Sequence, residues 1–251
     1  MKSEIRLGLI GWPLVKSASP EIFNFMFGEF GMKGKYELFP LEDKNLEGFF
    51  RNAPGRLLGF NVTTPHKRKV LKFCGELSKE VSLTGAANAI KVGGSMKAHN
   101  TDVYGFYRAY ASKIGCGGTA CIFGSGGAAS AAARVLDGLN FVRIHIVSRS
   151  PEKAELKMSA ISPKLLFSAD LPEKADIYIN ATPFPRIYYK RIDEKAIYAD
   201  LNYPLKEEKN FFDGSDMLFY QAVRSFSIFL ELQLSEEEED DLFKRYRRKY
   251  A

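Results

Sequence analysis

A glycine-rich turn between an apolar run and an alanine-rich run constrains the fold of this chain more than any other feature. Residues 119–123 have the pattern of a buried strand, Gly-Ser-Gly-Gly-Ala-Ala follows directly, and a helical pattern covers 128–136. Glycines permit a tight turn and close approach of the backbone to a phosphate, and small residues let the helix pack closely on the strand. The pattern predicts a β-α unit that binds a dinucleotide at a helix N-terminus, the alternative being a tight turn without a ligand.

Strand-like and helical runs alternate along the chain, which predicts β-α units and parallel sheets. The 251 residues can form one large domain or two modest ones. The pattern changes near Thr101, where a second α/β unit begins. The predicted strands are 6–11, 36–39, 57–62, 119–123 and 142–147, and a hairpin is predicted over 89–98. One helix is predicted to begin at Pro20 and run through Phe23, Met26 and Phe27, and another to run through Phe106 and Tyr110.

The composition argues against several classes of protein. The net charge is +6, but the dense basic cluster at 244–249 follows an acidic run at 236–241. Asp240–Lys244 and Asp241–Arg245 are spaced i,i+4, which predicts a solvated helix with internal ion pairs. We therefore expect no nucleic-acid partner. Apolar runs are strand-sized and the N-terminal residues lack an apolar signal segment, so we expect no membrane partner. Three cysteines and 3 histidines without metal-ligand spacing predict no metal site and a cytoplasmic location.

A second candidate site lies at 61–67, Asn-Val-Thr-Thr-Pro-His-Lys. An apolar run leads into Val62, and Pro65 predicts the first turn of a helix, where its missing N–H costs nothing. Asn61, Thr63 and Lys67 would then lie at the carboxyl end of a strand, where ligands of α/β proteins bind. The alternative is a helix start capped by Thr64, with Lys67 as a solvated charge.

The segment after the next strand bears on the choice of dinucleotide. NAD sites place an acidic residue there for the ribose 2′-hydroxyl, whereas this chain has Ser148-Arg149-Ser150, with Lys153 one turn later. A guanidinium suits a 2′-phosphate, so the segment predicts NADP. The alternative is a surface arginine near a helix N-terminus.

Several further segments complete an ordered set of motifs. Together they resemble the shikimate dehydrogenase family nearly end to end. The matching segments are Gly11–Pro13 with Ser17–Pro20, Asn61–Lys67, Gly85–Asn88, Asn100–Phe106, Gly124–Ala129, Arg149–Lys153, Asn180–Pro183, Asp200–Pro204, and Gly214 to Ala222. The chain departs from the family pattern at Phe23 (usually His), Ala89 (often Thr), His99 (commonly Gly) and Pro185 (usually Gly), where proline also restricts Phe184.

The resemblance implies an α/β fold with a cleft between two domains. A substrate-binding α/β domain would comprise 1–101 and 214–251, and a Rossmann-like NADP-binding domain would comprise 102–213. The implied activity is NADP-linked interconversion of 3-dehydroshikimate and shikimate. The alternatives are a quinate/shikimate dehydrogenase with broader substrate or NAD use, and a non-catalytic dinucleotide sensor. Whether the chain is a monomer or a homodimer is left open by the sequence.

The resemblance also implies roles for individual residues. Lys67 and Asp102 would be the catalytic pair, the alternative being a structural salt bridge. The substrate carboxylate would meet Ser17 and Ser19, although Ser19 is equally well explained as a helix cap. The remaining implied substrate ligands are Asn61, Thr63, Asn88, Asp102, Tyr203 and Gln221. The implied cofactor contacts are Gly124, Ser125, Gly126, Gly127, Ala128, Ser148, Arg149, Ser150, Lys153, Asn180, Ala181 and Thr182.

Overall fold

The computed structural model describes residues 4–205 and 209–250, and the chain divides into two compact units. The first unit contains the residues up to 82, residues 86–101 and the residues from 219 onward. The second contains residues 83–85 and 102–218. This division concerns compactness alone, so the functional domains expected over 1–101 with 214–251 and over 102–213 stay a prediction.

A mixed six-stranded sheet forms the centre of the first unit. Its order is β2-β1-β3-β5-β6-β4, with β1 at Ile5–Gly11, β2 at Gly34–Pro40, β3 at Gly59–Val62, β4 at Glu76–Leu77, β5 at Ala89–Lys91 and β6 at Lys97–His99. Strands β2, β1 and β3 are parallel, whereas β5 is antiparallel to both β3 and β6. The predicted hairpin over 89–98 is therefore confirmed.

A parallel six-stranded sheet forms the centre of the second unit. Its order is β12-β11-β10-β7-β8-β9, with β7 at Thr119–Phe123, β8 at Arg143–Val147, β9 at Leu165–Ser168, β10 at Ile177–Asn180, β11 at Ile197–Asp200 and β12 at Phe211–Phe212. Counted from β7 as the first strand, this is the 3-2-1-4-5-6 order of the Rossmann fold. The strand order reverses between β7 and β10, and ligands of such sheets bind beyond that point. The predicted α/β class is confirmed.

The α-helices cover the sheets and connect the strands. Their bounds are α1 Ser19–Glu29, α2 Leu46–Asn52, α3 Lys79–Thr84, α4 Thr101–Ile114, α5 Gly127–Gly138, α6 Pro151–Met158, α7 Ser215–Leu230 and α8 Glu236–Tyr250. Helix α8 carries the terminal charge runs, and Arg245 pairs with Asp241 one turn earlier at 3.2 Å. The predicted helix and its Asp241–Arg245 pair are confirmed, whereas Asp240 accepts the Tyr220 hydroxyl at 2.8 Å and Arg245 also pairs with Glu29. Its apolar face packs on the first unit through Phe243, whose ring lies 5.1 Å from that of Phe219.

The helix expected to begin at Pro65 is absent. Pro65, which follows a cis peptide bond, lies in a turn closed by a hydrogen bond from the His66 N–H to the Thr63 carbonyl, 3.0 Å. A short 3₁₀ helix follows only at Lys69–Phe73. The His66 ring is fully buried and lies 2.6 Å from the Leu41 carbonyl oxygen. This contact with a distant loop, together with the turn, holds the segment in a compact non-helical form, so the prediction was wrong here.

Candidate functional site

The glycine-rich turn lies at the strand-order reversal of the second sheet. Gly124 has a φ of +100°, in the region that glycine adopts readily. A β-carbon at Gly124 would lie 3.2 Å from the Ala181 carbonyl oxygen and 3.3 Å from the Thr182 methyl carbon. The loops after β7 and β10 therefore touch at this glycine. Among the expected cofactor contacts, Gly124, Ala181 and Thr182 are brought together here.

The N-terminus of α5 faces out of this turn without a side-chain cap. Gly126 occupies the cap position in an extended conformation, and Gly127 and Ala128 begin the helix after Ser125. No side-chain cap hydrogen bond is present at Gly126. The first N–H groups of a helix lack partners within the helix and carry the positive end of its dipole. This end of α5 is therefore suited to hold a pyrophosphate.

The loop after β10 is held by a buried carboxylate, Asp200. One Asp200 oxygen accepts hydrogen bonds from the Asn180 amide (3.1 Å) and the Asn202 amide (2.7 Å). The Asn180 side-chain oxygen accepts bonds from the N–H and hydroxyl of Thr182, at 3.0 and 2.7 Å. Both Asn180 and Asp200 are fully buried. The Asn180 side chain thus shapes the loop, and its direct contact with a cofactor stays a prediction.

Arg149 follows β8 and is exposed, as is Lys153 on the first turn of α6. Neither makes a hydrogen bond or ion pair with another residue that the structure describes. Ser148 orders the turn that contains Arg149, since the Ser148 hydroxyl accepts the Ser150 N–H at 3.3 Å. Two cations therefore stand unneutralised around a polar turn after the second Rossmann strand, as a 2′-phosphate site requires.

A buried polar cluster lies in the first unit and contains three expected substrate ligands. The Asn88 amide nitrogen lies 3.1 Å from the Gln221 amide oxygen. The Asn61 amide donates to the Asn88 carbonyl at 3.0 Å and to the Ser225 hydroxyl at 2.9 Å. The Asn88 side-chain oxygen accepts the N–H of Thr101, the first residue of α4, at 2.6 Å. Asn61, Asn88 and Gln221, far apart in sequence, are thus brought together.

Two members of this cluster, Ser225 and Tyr36, were not predicted from the sequence. Ser225 follows Gln221 by one helical turn on α7, and this i,i+4 spacing could have predicted that the two side chains lie on the same face of the helix. Tyr36 on β2 donates its hydroxyl to the Asn61 amide oxygen at 3.0 Å. No local signal points to Tyr36, because the contact depends on the pairing of β2 with β1 and of β1 with β3. Both amide hydrogens of Asn61 are used by the protein, so its side chain contributes to holding the cluster in place.

The two serines expected at the substrate carboxylate lie together before α1. The Ser17 hydroxyl accepts the Ser19 N–H at 3.1 Å and lies 3.1 Å from the Ser19 hydroxyl. Ala18 occupies the helix cap position, and its side chain makes no cap hydrogen bond. The alternative explanation of Ser19 as the cap is therefore wrong, because Ser19 is the first helical residue. Two hydroxyls beside a helix N-terminus are a suitable setting for an anion.

The remaining expected site residues are placed as follows. Thr63 packs against Gly11, where an added β-carbon would lie 2.4 Å from the Thr63 methyl carbon. Lys67 is half-buried, and its carbonyl oxygen accepts the Ala87 N–H at 2.8 Å. Asp102 is buried in the first turn of α4. Burial, and secondarily the Asp102 charge, raise the pKa of the Tyr203 hydroxyl. Lys67 belongs to the first unit and Asp102 to the second, and their pairing stays a prediction.

The cysteines, histidines and carboxylates do not form a metal site or a reactive thiol in the described residues. Within residues 4–205 and 209–250, no group of three or more His, Cys, Asp or Glu side chains is arranged to hold a metal ion. Burial raises the pKa of the Cys121 thiol to about 12 and that of Cys74 to about 11, so both stay protonated at neutral pH. No helix in the described part of the chain has the length and apolar character needed to span a membrane.

Comparison with known proteins identifies the family to which this chain belongs. Residues 9–90 match the family described as the shikimate dehydrogenase substrate binding domain. The shikimate dehydrogenase (NADP(+)) of Methanocaldococcus jannaschii is 34% identical over 88% of this chain and 90% of its own length. The chain belongs to the shikimate dehydrogenase family.

Solved structures of the family have the same fold. A shikimate dehydrogenase crystallised in complex with NADP+ is 29% identical, with a TM-score of 0.79 over 97% of this chain and 96% of that chain. The shikimate 5-dehydrogenase of Thermus thermophilus, crystallised in complex with shikimate, is 25% identical, with a TM-score of 0.79 over 96% and 98% of the two chains. The two-domain α/β architecture expected from the resemblance is therefore confirmed.

Membership in the shikimate dehydrogenase family makes the departures at Phe23 and Pro185 informative. The Phe23 ring stacks on the Tyr36 ring at 4.0 Å between centroids, and Tyr36 in turn holds Asn61. Aromatic packing thus supports the polar cluster at the position where the family pattern predicts histidine. Beside Pro185, the Phe184 carbonyl accepts the Asn180 amide at 2.7 Å, and the Arg186 N–H donates to Asp200 at 2.6 Å. The proline is therefore held on both sides by the Asp200 network.

Proposed function

We propose that this protein is an NADP-dependent shikimate dehydrogenase, which reduces 3-dehydroshikimate reversibly to shikimate in chorismate and aromatic amino acid biosynthesis. The support comes from relatives that bear this name and from the chemistry of the site. A polyhydroxylated carboxylic acid is recognised by amides and hydroxyls that donate and accept hydrogen bonds. The observation that carries the proposal is the buried cluster of Asn61, Asn88 and Gln221. Buried amides need hydrogen-bond partners, so a region whose only role was apolar packing would not contain so many of them.

The cofactor side rests on the second unit. The residues fit a dinucleotide: the uncapped N-terminus of α5 would hold the pyrophosphate, and Arg149 with Lys153 would hold a 2′-phosphate. Gly124 leaves no room for a side chain between the loops after β7 and β10. Bound NADPH supplies the hydride that reduces the substrate ketone. These features support NADP over NAD.

The protein's own groups then handle the proton and the orientation of the substrate. As the carbonyl carbon accepts the hydride, the oxygen gains negative charge and needs a proton. Lys67 donates that proton or stabilises the oxyanion, and Asp102 orients Lys67 and binds a neighbouring hydroxyl. Ser17 and Ser19 bind the carboxylate, and Thr63 and Tyr203 complete the set of expected substrate contacts. In the reverse direction the same lysine accepts the proton.

The alternatives differ in substrate and cofactor, so one set of assays separates them. Oxidation of shikimate and of quinate is measured with NADP+ and with NAD+. We expect the highest kcat/KM for shikimate with NADP+. Comparable values for quinate, or for NAD+, would favour a quinate/shikimate dehydrogenase. Tight NADP+ binding without oxidation of either acid would favour a dinucleotide sensor. The cytoplasmic location and the choice between monomer and homodimer also stay predictions.

A further inference from the structure

The first unit contains a cavity of about 220 Å³ that the proposed reaction does not use. It is lined by residues of β1, β2, α2 and the loop that precedes β3, among them Arg6, Phe39, Gly48, Phe49, Asn52 and Arg56. Arg6 lies near the start of β1, and Leu57, another lining residue, precedes β3. Ser17 and Thr63 instead follow the carboxyl ends of these two strands. Phe39 and Leu41 extend the lining to the carboxyl end of β2, but none of the expected substrate contacts lines the cavity.

Aromatic side chains form the apolar part of the cavity wall. The rings of Phe39 and Phe49 lie 5.3 Å apart at 57°, and Phe49 meets the buried Phe60 ring edge-on at 5.1 Å. Gly8 on β1 leaves the space that the Phe39 ring occupies, since a β-carbon there would lie 2.4 Å from the ring. The rings are thus fixed by packing and offer faces and edges to a planar guest.

The charged part of the wall is cationic. Two guanidinium groups, those of Arg6 and Arg56, line the cavity, and no carboxylate among the described residues does. Arg6 donates one bond to Glu37 at 2.9 Å, and Glu37 also accepts a bond from Lys35. The Arg56 side chain makes no hydrogen bond or ion pair with any residue in the described ranges. Arg56 is exposed, and a guanidinium without an ion-pair partner beside aromatic rings favours an anionic group on the guest.

Gly48 lines the cavity and contributes no side chain to it. It lies within α2, where glycine weakens a helix by roughly 1 kcal/mol relative to alanine. A β-carbon at Gly48 would have no atom within 4 Å. The position therefore accepts a side chain without a clash, and we expect a large side chain there to reduce the open volume, because Gly48 lines the cavity.

We propose that this cavity binds a monocyclic aromatic carboxylate, with the ring against Phe39 and Phe49 and the carboxylate at Arg56 and Arg6. The size agrees, because a buried cavity of about 150 Å³ already accepts benzene. The extra volume accommodates a short carboxylate arm. The site is independent of the proposed dehydrogenase activity, so either claim can fail without the other.

Phenylacetate tests the proposal, and phenylacetamide, its uncharged counterpart, controls for the ring alone. Binding to the full chain is measured by calorimetry and by chemical shifts of amides in α2. We expect phenylacetate to bind at millimolar or lower concentration and phenylacetamide to bind about tenfold more weakly, because it cannot form the charge-assisted hydrogen bonds. Equal binding of both compounds, or shifts confined to other parts of the chain, would overturn the proposal.

Matched variants locate the site. Gly48→Phe should abolish phenylacetate binding, whereas Gly48→Ala should retain it and shows that the helix tolerates a side chain. Arg56→Gln should weaken binding about tenfold. Arg51→Gln is its control, because Arg51 lies on the same helix but pairs with Glu47 at 2.8 Å. Unchanged binding by Gly48→Phe, with a thermal midpoint like that of Gly48→Ala, would refute the assignment.

Discussion

At Gly124 the backbone geometry and the contacts of the neighbouring loop impose the same requirement. The φ of +100° disfavours any residue with a β-carbon, and such a carbon would press on the Ala181 carbonyl oxygen at 3.2 Å. Gly126, in contrast, has a φ of −82° and open space around the position of a β-carbon. Gly124 is thus required by the fold, whereas the fold does not require glycine at position 126, where we expect it to leave room for the cofactor.

The Gly124→Ala substitution should lower both stability and NADP+ affinity, because strain of about 1–3 kcal/mol falls on the turn itself. Gly126→Ala should leave stability nearly unchanged and weaken NADP+ binding, because the methyl group enters the path of the pyrophosphate. Urea unfolding and calorimetric titration measure the two effects. Unchanged NADP+ binding by both variants would place the pyrophosphate elsewhere.

Arg149 is the residue on which the choice of cofactor depends most. Arg149→Asp should weaken NADP+ binding by about 1.5–3 kcal/mol, through loss of charge-assisted hydrogen bonds to the 2′-phosphate, and more if repulsion adds. NAD+ binding should change little. Arg143→Asp, at the opposite end of β8, makes the same charge change as a control. Equal loss of NADP+ affinity in the two variants would show that the effect comes from the change in net charge and not from contact of Arg149 with the 2′-phosphate.

At the scale of elements, the regular parts of the fold could be predicted and the irregular parts could not. Strand β7 was predicted to the residue because an apolar run is bounded there by glycines on both sides. Strand β3 begins at Gly59 rather than at Leu57, whose N–H is used by the Ala53 carbonyl at 3.0 Å. The two-residue strands β4 and β12 are too short for any periodicity to reveal.

The candidate site shows the same division. Residue types at the motifs were predictable, because they depend on local sequence and on the resemblance to the family. Their hydrogen-bond partners were not, because Tyr36 and Ser225 reach Asn61 from 25 and 164 residues away along the chain. The prediction of a helix at Pro65 is wrong for a similar reason. Proline suits both the first turn of a helix and a tight turn, and the buried contact of His66 with Leu41 is invisible in the sequence.

Strand β6 makes the stability of the first unit depend on pH. The His99 carbonyl accepts the Asn88 N–H at 3.0 Å, and the His99 side chain is half-buried with no hydrogen-bond partner in the described residues for its buried Nε2 atom. Burial, with smaller contributions from Lys97 and Arg224, lowers the pKa of His99 in the folded state. The unfolded chain binds the proton more readily, so stability should fall as the pH drops below about 6.5.

The His99→Leu variant should remove that part of the pH dependence. Wild type and variant are compared by urea unfolding between pH 8 and pH 5. The difference in unfolding free energy between them should shift in favour of the variant as the pH falls. A difference that stays constant over this range would show that His99 keeps its ordinary pKa.

At the scale of the whole molecule, the C-terminal part of the chain completes the first unit. Residues from 219 onward return to it after the second unit, and they bring Gln221 and Ser225 to Asn61 and Asn88. The polar cluster therefore exists only when segments from both ends of the chain are folded together. The second unit, which contains the Rossmann-like sheet, lies between them in the sequence as one contiguous stretch, 102–218, apart from residues 83–85.

The central claim is that this fold performs NADPH-linked reduction of 3-dehydroshikimate with Lys67 in the transition state. The most direct measurement is the rate of NADPH oxidation, followed by absorbance, with 3-dehydroshikimate, for the wild type, Lys67→Ala and the neighbouring surface control Lys72→Ala. We predict turnover by the wild type and by Lys72→Ala. For Lys67→Ala we predict a kcat lower by about 10²–10⁴-fold, with KM and NADPH affinity much less changed. Absence of turnover by the folded wild type, or near-full kcat in Lys67→Ala, would contradict the account.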